Sequence, residues 1–334
     1  MNSSQLVSVI IANYNGEKYL DPCLKSLLKT RYQNFEVLIV DDGSNDRSKE
    51  IIATYKQSKK IKLLQNDNNL GAAASRNKAF ESAKGEIIVF LDNDTEVDPN
   101  WLSPLVDTLT KNETVGAAQS LLFDYVKRNE IQVVGVRLWA PTGWGLPIRE
   151  DKNEILSIAA LSAALAVKRE VFKSIGGFDE DEAVVTEDLD LSWRIWLSGY
   201  KILSCRDSHV FHWTKSVHMR KNLKHTNKII YFHLTKNSLI SITKNYETKN
   251  LLRYLTLFSI ISLLRSAFIL GVKLDSSAAT GMILGYVWYV KNIRRIIKKR
   301  EVVQEYRKFS DEDLFHNEIL IRPILSVLKM HYLK

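Results

Sequence analysis

Short apolar runs that alternate with helical patterns are the feature that most constrains the fold of this chain. Runs rich in β-branched residues, which indicate buried strands, lie at 7–12 (VSVIIA), 35–40 (FEVLIV) and 86–91 (EIIVFL), with a shorter run at 61–64. Apolar residues at helical spacing separate them at 18–28, 48–55 and 72–83. Strands without a polar face need cover on both sides, so the pattern predicts an α/β fold with a mostly parallel sheet between helices.

Two acidic clusters directly follow predicted strands. Asp41-Asp42-Gly43-Ser44 ends the run at 35–40, and Asp92-Asn93-Asp94 ends the run at 86–91. Ligands of such sheets bind beyond the carboxyl ends of the strands. Two carboxylates one residue apart can hold a hard divalent cation, although a polar turn that leads into the next helix explains either cluster equally well.

A third acidic group opens a predicted helix at 187–198. Thr186 is a natural N-cap, and the helix dipole would keep the carboxylates of Glu187 and Asp188 ionised, which suits a general base. Ordinary acidic enrichment of a first helical turn explains the same residues, so both interpretations stay open.

Weaker patterns lie between and after these clusters. His209 and His212 lie at a predicted strand end, where one of them could complete a metal site. Glycines and tryptophans at 124–155 indicate a long structured loop near the site, and 159–167 has the composition of a strand. Gly176-Gly177 should break the chain sharply.

Composition narrows the class of protein. A hydrophobic fraction of 45% and a charged fraction of 25% exclude a mainly disordered chain. Cys23 and Cys205 are too few and too far apart for a disulfide framework, which predicts a reducing compartment. The apolar run at 7–12 is too short to be a signal peptide.

The basic character of the chain belongs to its last third. Residues 1–214 hold 25 Lys and Arg against 30 Asp and Glu, whereas residues 215–334 hold 22 against 8. Such asymmetry predicts an anionic partner for that region. Because the sequence has no recognisable nucleic-acid-binding motif, we expect no nucleic acid and favour an anionic membrane surface.

Two apolar segments in the same region support a membrane location. The segment 251–272 contains Arg253 and Arg265, and the shorter 278–290 runs into the basic stretch Lys291–Arg300. A spanning helix needs about 20 apolar residues, and a central arginine costs about 2.5–3.5 kcal/mol on insertion scales. We therefore predict helices that lie on the cytoplasmic face of a membrane, peripheral or monotopic, with a soluble core or a homodimer interface as the alternative.

Seven motifs in one order resemble glycosyltransferase family 2 of the GT-A fold, which is Rossmann-like. They are VSVIIANYN (7–15), VDDGSND (40–46), NLGAAASRN (69–77), FLDND (90–94), GGFDE (176–180), TEDLDLSWR (186–194) and the later His212. The sequence EDLDLSWRIWLSGYKI is similar to the rhamnosyltransferase-like inverting branch. The likeness covers about residues 6–310 and implies a catalytic domain at 1–245, followed by a helical, basic, membrane-associating region at 246–334.

The resemblance implies a role for each matching residue. For donor binding, the nucleotide base would be lined by Ala12, Tyr14 and Asp42, with Asp41 beside them. Arg76 would face the base or the diphosphate, and Asp92 would contact the ribose. Mg²⁺ or Mn²⁺ would bind Asp92, Asp94 and His212. Asp188 would be the catalytic base with Glu187 as its supporting neighbour, and Gly176, Gly177 and Trp193 would shape the acceptor side. Asn93 replaces a carboxylate found in many relatives, at the position least needed for the metal.

These residues predict the inverting transfer of a single sugar from a nucleotide sugar to a glycan or lipid-linked acceptor. A dinucleotide-dependent oxidoreductase is disfavoured because Ala12-Asn13-Tyr14-Asn15-Gly16 is not a G-x-G-x-x-G turn. A processive polysaccharide synthase is an alternative, but it should carry Gln-x-x-Arg-Trp soon after Thr186-Glu187-Asp188 and several clear membrane spans. The sequence shows neither, which favours single-sugar transfer. An inactive nucleotide-sugar-binding scaffold remains an alternative, and the sequence names neither the sugar nor the acceptor.

Overall fold

The computed structural model describes residues 5–55, 57–150, 156–213, 223–272 and 274–322, without the side chains of 223–226. The strands are β1 (Val7–Asn13), β2 (Phe35–Asp42), β3 (Ile61–Asn66), β4 (Ile87–Asp92), β5 (Thr95–Val97), β6 (Val115–Asp124), β7 (Ile131–Val133), β8 (Gly135–Trp139), β9 (Trp144–Ile148), β10 (Ala164–Lys168), β11 (Lys201–His212) and β12 (Leu320–Ile321). The helices are α1 (Glu17–Leu28), α2 (Ser48–Thr54), α3 (Ala72–Ser82), α4 (Leu102–Thr110), α5 (Arg169–Ser174), α6 (Glu187–Leu197), α7 (Leu223–Asn245), α8 (Thr248–Gly271), α9 (Ser276–Glu305) and α10 (Asp311–His316).

One mixed sheet organises the described part of the chain. Its strands follow the order β3-β2-β1-β4-β10-β6-β11-β5, and β7 pairs with β6. The half made of β1 to β4 is parallel, β10 is antiparallel to both of its neighbours, and β11 is parallel to β6. Val9, Ile10 and Ile11 of β1 are all fully buried, so this strand is covered on both faces as its composition predicts.

The region at 124–155, predicted as a loop, contains strands. β7, β8 and β9 lie within it, and β8 pairs with β9 on one side and with the distant β12 on the other. The turn between β8 and β9 depends on Gly143, whose φ of +70° favours glycine. The prediction missed these strands because they are short, and because β12 lies near the other end of the chain.

The helices α8 and α9 belong to the C-terminal region, and α7, which precedes that region, packs closely along α9. Gly281 and Gly285 of α9 face the backbone of α7, where a β-carbon would collide with the Lys228 oxygen and come within 3.0 Å of the Phe232 oxygen. Only glycine allows so close an approach. Since α7 ends at Asn245, the boundary drawn at 245 falls directly after a helix that packs on the C-terminal region; that boundary stays a prediction.

A buried lysine joins these helices to α6 and to the segment that precedes α6. Lys244 of α7 bonds Asp179, Glu182 (3.2 Å) and Asp190 (3.1 Å), an arrangement that we call the Lys244 cluster. Lys299 of α9 also bonds Asp179. Removing one partner of a buried ion pair typically costs about 3–5 kcal/mol, because the remaining charges are left uncompensated. The cluster therefore fixes α7 against the segment that leads into α6 and against the first turn of α6.

Candidate active site

The carboxyl ends of β1, β2 and β4 bring polar residues together. Ala12 pairs with Val40 of β2 and Asp92 of β4, and the next position pairs Asn13 with Asp41. Acidic residues that are distant in sequence therefore meet at one edge of the sheet, as the sequence predicts.

Asp41 holds this edge together. It is fully buried, and its carboxylate accepts hydrogen bonds from Asn13 Nδ2 (3.0 Å) and the Ser44 backbone N–H (3.1 Å). The predicted donor-binding residue Asp41 thus shapes the loop after β2. Sequence reasoning missed Asn13, although an asparagine at the end of an apolar strand was a signal for it.

Asp42 anchors the segment that leads into α3. Its oxygens accept hydrogen bonds from Asn66 Nδ2 (2.8 Å) and from the backbone N–H groups of Leu70 and Gly71 (both 2.9 Å). The nearby Tyr14 is 46% exposed and Ala12 is half-buried, so both can meet a ligand. Contact of Asp42 with a nucleotide base stays a prediction.

Replacing Asp42 should affect both folding and donor affinity. Asp42→Ala leaves the donors on Asn66, Leu70 and Gly71 without their acceptor, and we expect a loss of unfolding free energy of about 1–3 kcal/mol. Nucleotide affinity should fall as well, because the resemblance assigns Asp42 to donor binding. Urea unfolding and calorimetric titration with the preferred nucleotide measure the two effects, and unchanged values in both would remove Asp42 from this role.

Asp92, Asp94 and His212 form the candidate metal site. One ligand atom from each lies within 4.8 Å of the others, and His212 Nε2 is 3.4 Å from Asp94 Oδ1. β5 and β11 bring them together, since His212 pairs with Thr95 directly after Asp94. Carboxylates suit Mg²⁺ and Mn²⁺, and imidazole adds a nitrogen ligand, so these three metal-ligating side chains fit the predicted metal.

The two predicted histidines have different roles. His212 Nδ1 is 2.9 Å from Gln132 Oε1, which orients the ring so that Nε2 faces Asp94. Burial lowers the pKa of His212, but the hydrogen bond and charge of Asp94 outweigh burial and raise it. His209 lies 2.9 Å from the Arg206 carbonyl instead.

A second acidic group within the described residues is a less suitable metal site. Asp179, Glu182 and Asp190 also lie close enough to share an ion. The ammonium group of Lys244 already bonds all three, so a cation of the protein occupies their centre.

Arg76 connects the metal site to the start of α6. Its guanidinium bonds Asp92 Oδ1 and Glu187 Oε1, both at 2.8 Å, and the side chain is almost fully buried. Burial opposes its charge, but Asp92 and Glu187 together raise the pKa of Arg76. Arg76 was predicted to face the base or the diphosphate; here it forms ion pairs with two carboxylates of the site.

Asp188, the predicted base, lies in the first turn of α6. Its oxygens accept hydrogen bonds from the backbone N–H groups of Ser162 (3.1 Å) and Leu189 (2.9 Å). Burial, followed by the charge of Glu187, raises the pKa of Asp188 to about 7. A carboxyl group with a pKa near neutrality can accept a proton and release it again.

The remaining predicted residues lie on α6 or beside it. Thr186 occupies the N-cap position of α6, but its hydroxyl makes no capping hydrogen bond within the described residues, contrary to expectation. Gly176 and Gly177 end α5 with φ of +79° and +69°, which explains the sharp break. Trp193 is buried against Tyr246, so it can shape the acceptor side only through its neighbours.

The sequence of this edge matches a known family. Residues 8–176, which contain both acidic strand ends, match the profile of Glycosyl transferase family 2. The chain belongs to Glycosyl transferase family 2. This family assignment confirms the resemblance, while the rhamnosyltransferase-like branch stays a prediction.

Two curated relatives show what the chain resembles in sequence. Glycosyltransferase GlyG of Streptococcus pneumoniae is 38% identical over 111 residues, which cover 33% of this chain and 37% of that protein. Poly-beta-1,6-N-acetyl-D-glucosamine synthase of Staphylococcus epidermidis is 27% identical over 201 residues, covering 59% and 47%. The chain thus spans about half or less of the length of these curated relatives.

A solved structure confirms the fold. Mannosyltransferase PcManGT from Pyrobaculum calidifontis, in complex with GDP-Man and Mn²⁺, superposes with a TM-score of 0.57 at 19% identity. The match covers 91% of this chain and 86% of that chain. The predicted GT-A architecture is therefore confirmed, with a helical C-terminal region after it.

Proposed function

We propose that this family 2 enzyme is an inverting glycosyltransferase that moves a single sugar from a nucleotide-sugar donor to a hydroxyl group of a glycan or lipid-linked acceptor. The observation that carries the proposal is the link from Asp188 through Glu187 and Arg76 to Asp92. It connects a base with a pKa of about 7 to a three-residue metal site at the sheet edge.

The described residues supply each part of such a displacement. Asp188 accepts the proton of the acceptor hydroxyl while that oxygen attacks the anomeric carbon and the nucleoside diphosphate leaves from the opposite face. The hydrogen bond from Ser162 holds the carboxylate of Asp188 in position. Arg76 bonds both Glu187, next to the base, and Asp92 of the metal site. The base therefore keeps a fixed position relative to the metal site.

Asp92, Asp94 and His212 would hold Mg²⁺ or Mn²⁺, which supplies Lewis-acid neutralisation of the diphosphate charge. The contact between Gln132 and His212 holds the imidazole ring in position, so the three metal ligands are assembled before the nucleotide sugar binds.

The rate should depend on pH through Asp188. A base acts only when deprotonated, so kcat/KM should fall about tenfold per unit below the pKa of about 7 and level off above it. Initial rates of nucleoside diphosphate release between about pH 5.5 and 8.5 measure this. A profile that falls with rising pH would exclude Asp188 as the base.

A panel of nucleotide sugars tests the proposed activity. We expect one donor to be hydrolysed slowly in the presence of Mg²⁺ or Mn²⁺ and to raise the melting temperature of the protein. Chelation should remove both effects. If every donor failed in both measurements with metal present, the proposed transferase activity would be wrong.

The similarity to a polysaccharide synthase favours a second candidate. Processive addition would yield a ladder of products, whereas single transfer yields one added sugar. Mass spectrometry of products formed with excess donor distinguishes the two. We favour single transfer because Gln-x-x-Arg-Trp does not follow Asp188 in the sequence.

A further inference from the structure

The charge in the middle of α8 does not face outward. Arg265 lies over the rings of Trp144 and Tyr231, with 4.6 and 4.8 Å between its guanidinium carbon and the ring centroids. The sequence prediction counted this arginine against a membrane span. α8 nevertheless has 24 residues and a mean hydropathy of 1.7 in its most apolar window, enough to cross a membrane by length and composition alone.

α8 and α9 share one exposed apolar face, which we call the α8–α9 face. Its large side chains on the two helices are Leu252, Ile260, Leu263, Leu264, Phe268, Leu270, Ile283, Leu284, Val287 and Val290. A groove of about 560 Å³ is lined by Ile260, Leu263 and Ile283 together, so the two rows face the same way. Only 22% of the most apolar window of α8 is buried, which distinguishes it from a core helix.

Basic residues continue this face along α9. Lys291, Arg294 and Lys298 are exposed and follow Val287 and Val290 at helical spacing, so they extend the same side of the helix. No ion pair involves them among the residues that the structure describes. An apolar surface continued by cations is complementary to lipid with anionic headgroups.

The packing of α8 argues against a span. α8 and α9 pack against each other, and Arg300 of α9 bonds Thr248 at the start of α8 (3.1 Å). Crossing a bilayer along all of α8 would carry the basic half of α9 into hydrocarbon. The apolar residues also run along both helices instead of gathering at the connection.

We propose that the α8–α9 face lies flat in one leaflet of an anionic membrane. Leu263, Phe268 and Ile283 enter the hydrocarbon boundary, and Lys291, Arg294 and Lys298 contact lipid phosphates. This orientation fixes the catalytic domain beside the lipid surface through α7 and the Lys244 cluster. The proposal does not depend on the proposed sugar transfer.

Vesicle sedimentation of the full chain tests this. The probes are phosphatidylcholine vesicles with and without phosphatidylglycerol, at low and high salt. We expect binding that requires phosphatidylglycerol and weakens with salt. Leu263→Asp with Phe268→Asp should weaken it about tenfold or more. Lys291→Gln, Arg294→Gln and Lys298→Gln together should weaken it about 100-fold on anionic vesicles.

Matched controls show whether the loss of vesicle binding is specific to the α8–α9 face or follows from any change of surface charge or polarity. Val126→Asp changes an equally exposed apolar residue on the catalytic domain. Lys59→Gln, Lys62→Gln and Lys84→Gln together remove three exposed charges there. Both controls should bind like the wild type, and circular dichroism checks that every variant is folded. Equal binding to both vesicle types, or equal loss in the controls, would contradict the proposal. If the wild-type protein stayed in the supernatant, the membrane proposal would be wrong. If it also formed a dimer that Leu263→Asp dissociates, the α8–α9 face would be a subunit interface.

Discussion

Asp188→Asn should lower sugar transfer by about 10²–10⁴-fold, the usual contribution of a positioned general base. The amide keeps the shape of the carboxylate but cannot accept the acceptor proton. Donor affinity should stay near that of the wild type, because Asp188 bonds Ser162 and Leu189 and belongs to neither the metal site nor the loop after β2. Transfer rates and calorimetric titration with the donor separate the two effects.

Asp107→Asn is a matched control for this variant, since Asp107 is an exposed aspartate of α4 paired only with Lys111 among the described residues. It should transfer sugar at the wild-type rate. If Asp188→Asn were as active as the control, the base would be another residue. An equal loss of donor affinity and rate would instead assign Asp188 to donor binding.

Asp94→Ala should abolish metal-dependent binding of the nucleoside diphosphate. Asp94 supplies a carboxylate to the metal site and lies 3.4 Å from His212. The loss should exceed the roughly 10–100-fold typical of removing an outer-shell partner of a metal ligand. Electron paramagnetic resonance of Mn²⁺ measures metal binding directly, without any need for activity.

The control for the metal variant is Asp107→Ala, which removes a carboxylate that does not belong to the three-residue site. It should bind Mn²⁺ like the wild type. If Asp94→Ala also kept wild-type Mn²⁺ binding and donor affinity, the metal site would lie elsewhere in the chain.

The sheet could be predicted from sequence because its signal is local. β1, β2 and β4 are continuous apolar runs, and their observed bounds differ from the predicted ones by only one or two residues. The carboxyl ends of parallel strands meet at one edge of a sheet. The position of Asp92 and Asp94 at the end of β4 was therefore enough to place both residues on the ligand side.

What sequence reasoning missed are contacts between distant parts of the chain. Arg76 and Glu187 are 111 residues apart, and neither has a local pattern that predicts their ion pair. In the sequence, nothing distinguishes Lys244 from the other basic residues of the last third, yet it is buried among three carboxylates. Arg265 was judged a cost in lipid because a sequence does not show which way a helix turns its side chains.

Proton NMR of donor hydrolysis in real time with Mg²⁺ reports whether the reaction inverts the anomeric carbon. Water replaces the acceptor, so the sugar is released without any knowledge of the natural acceptor. A single displacement with Asp188 as the base predicts that the first free sugar has the anomeric configuration opposite to that of the donor, and that Asp188→Asn slows its release. A first product that retains the anomeric configuration of the donor would exclude a single displacement with Asp188 as the base.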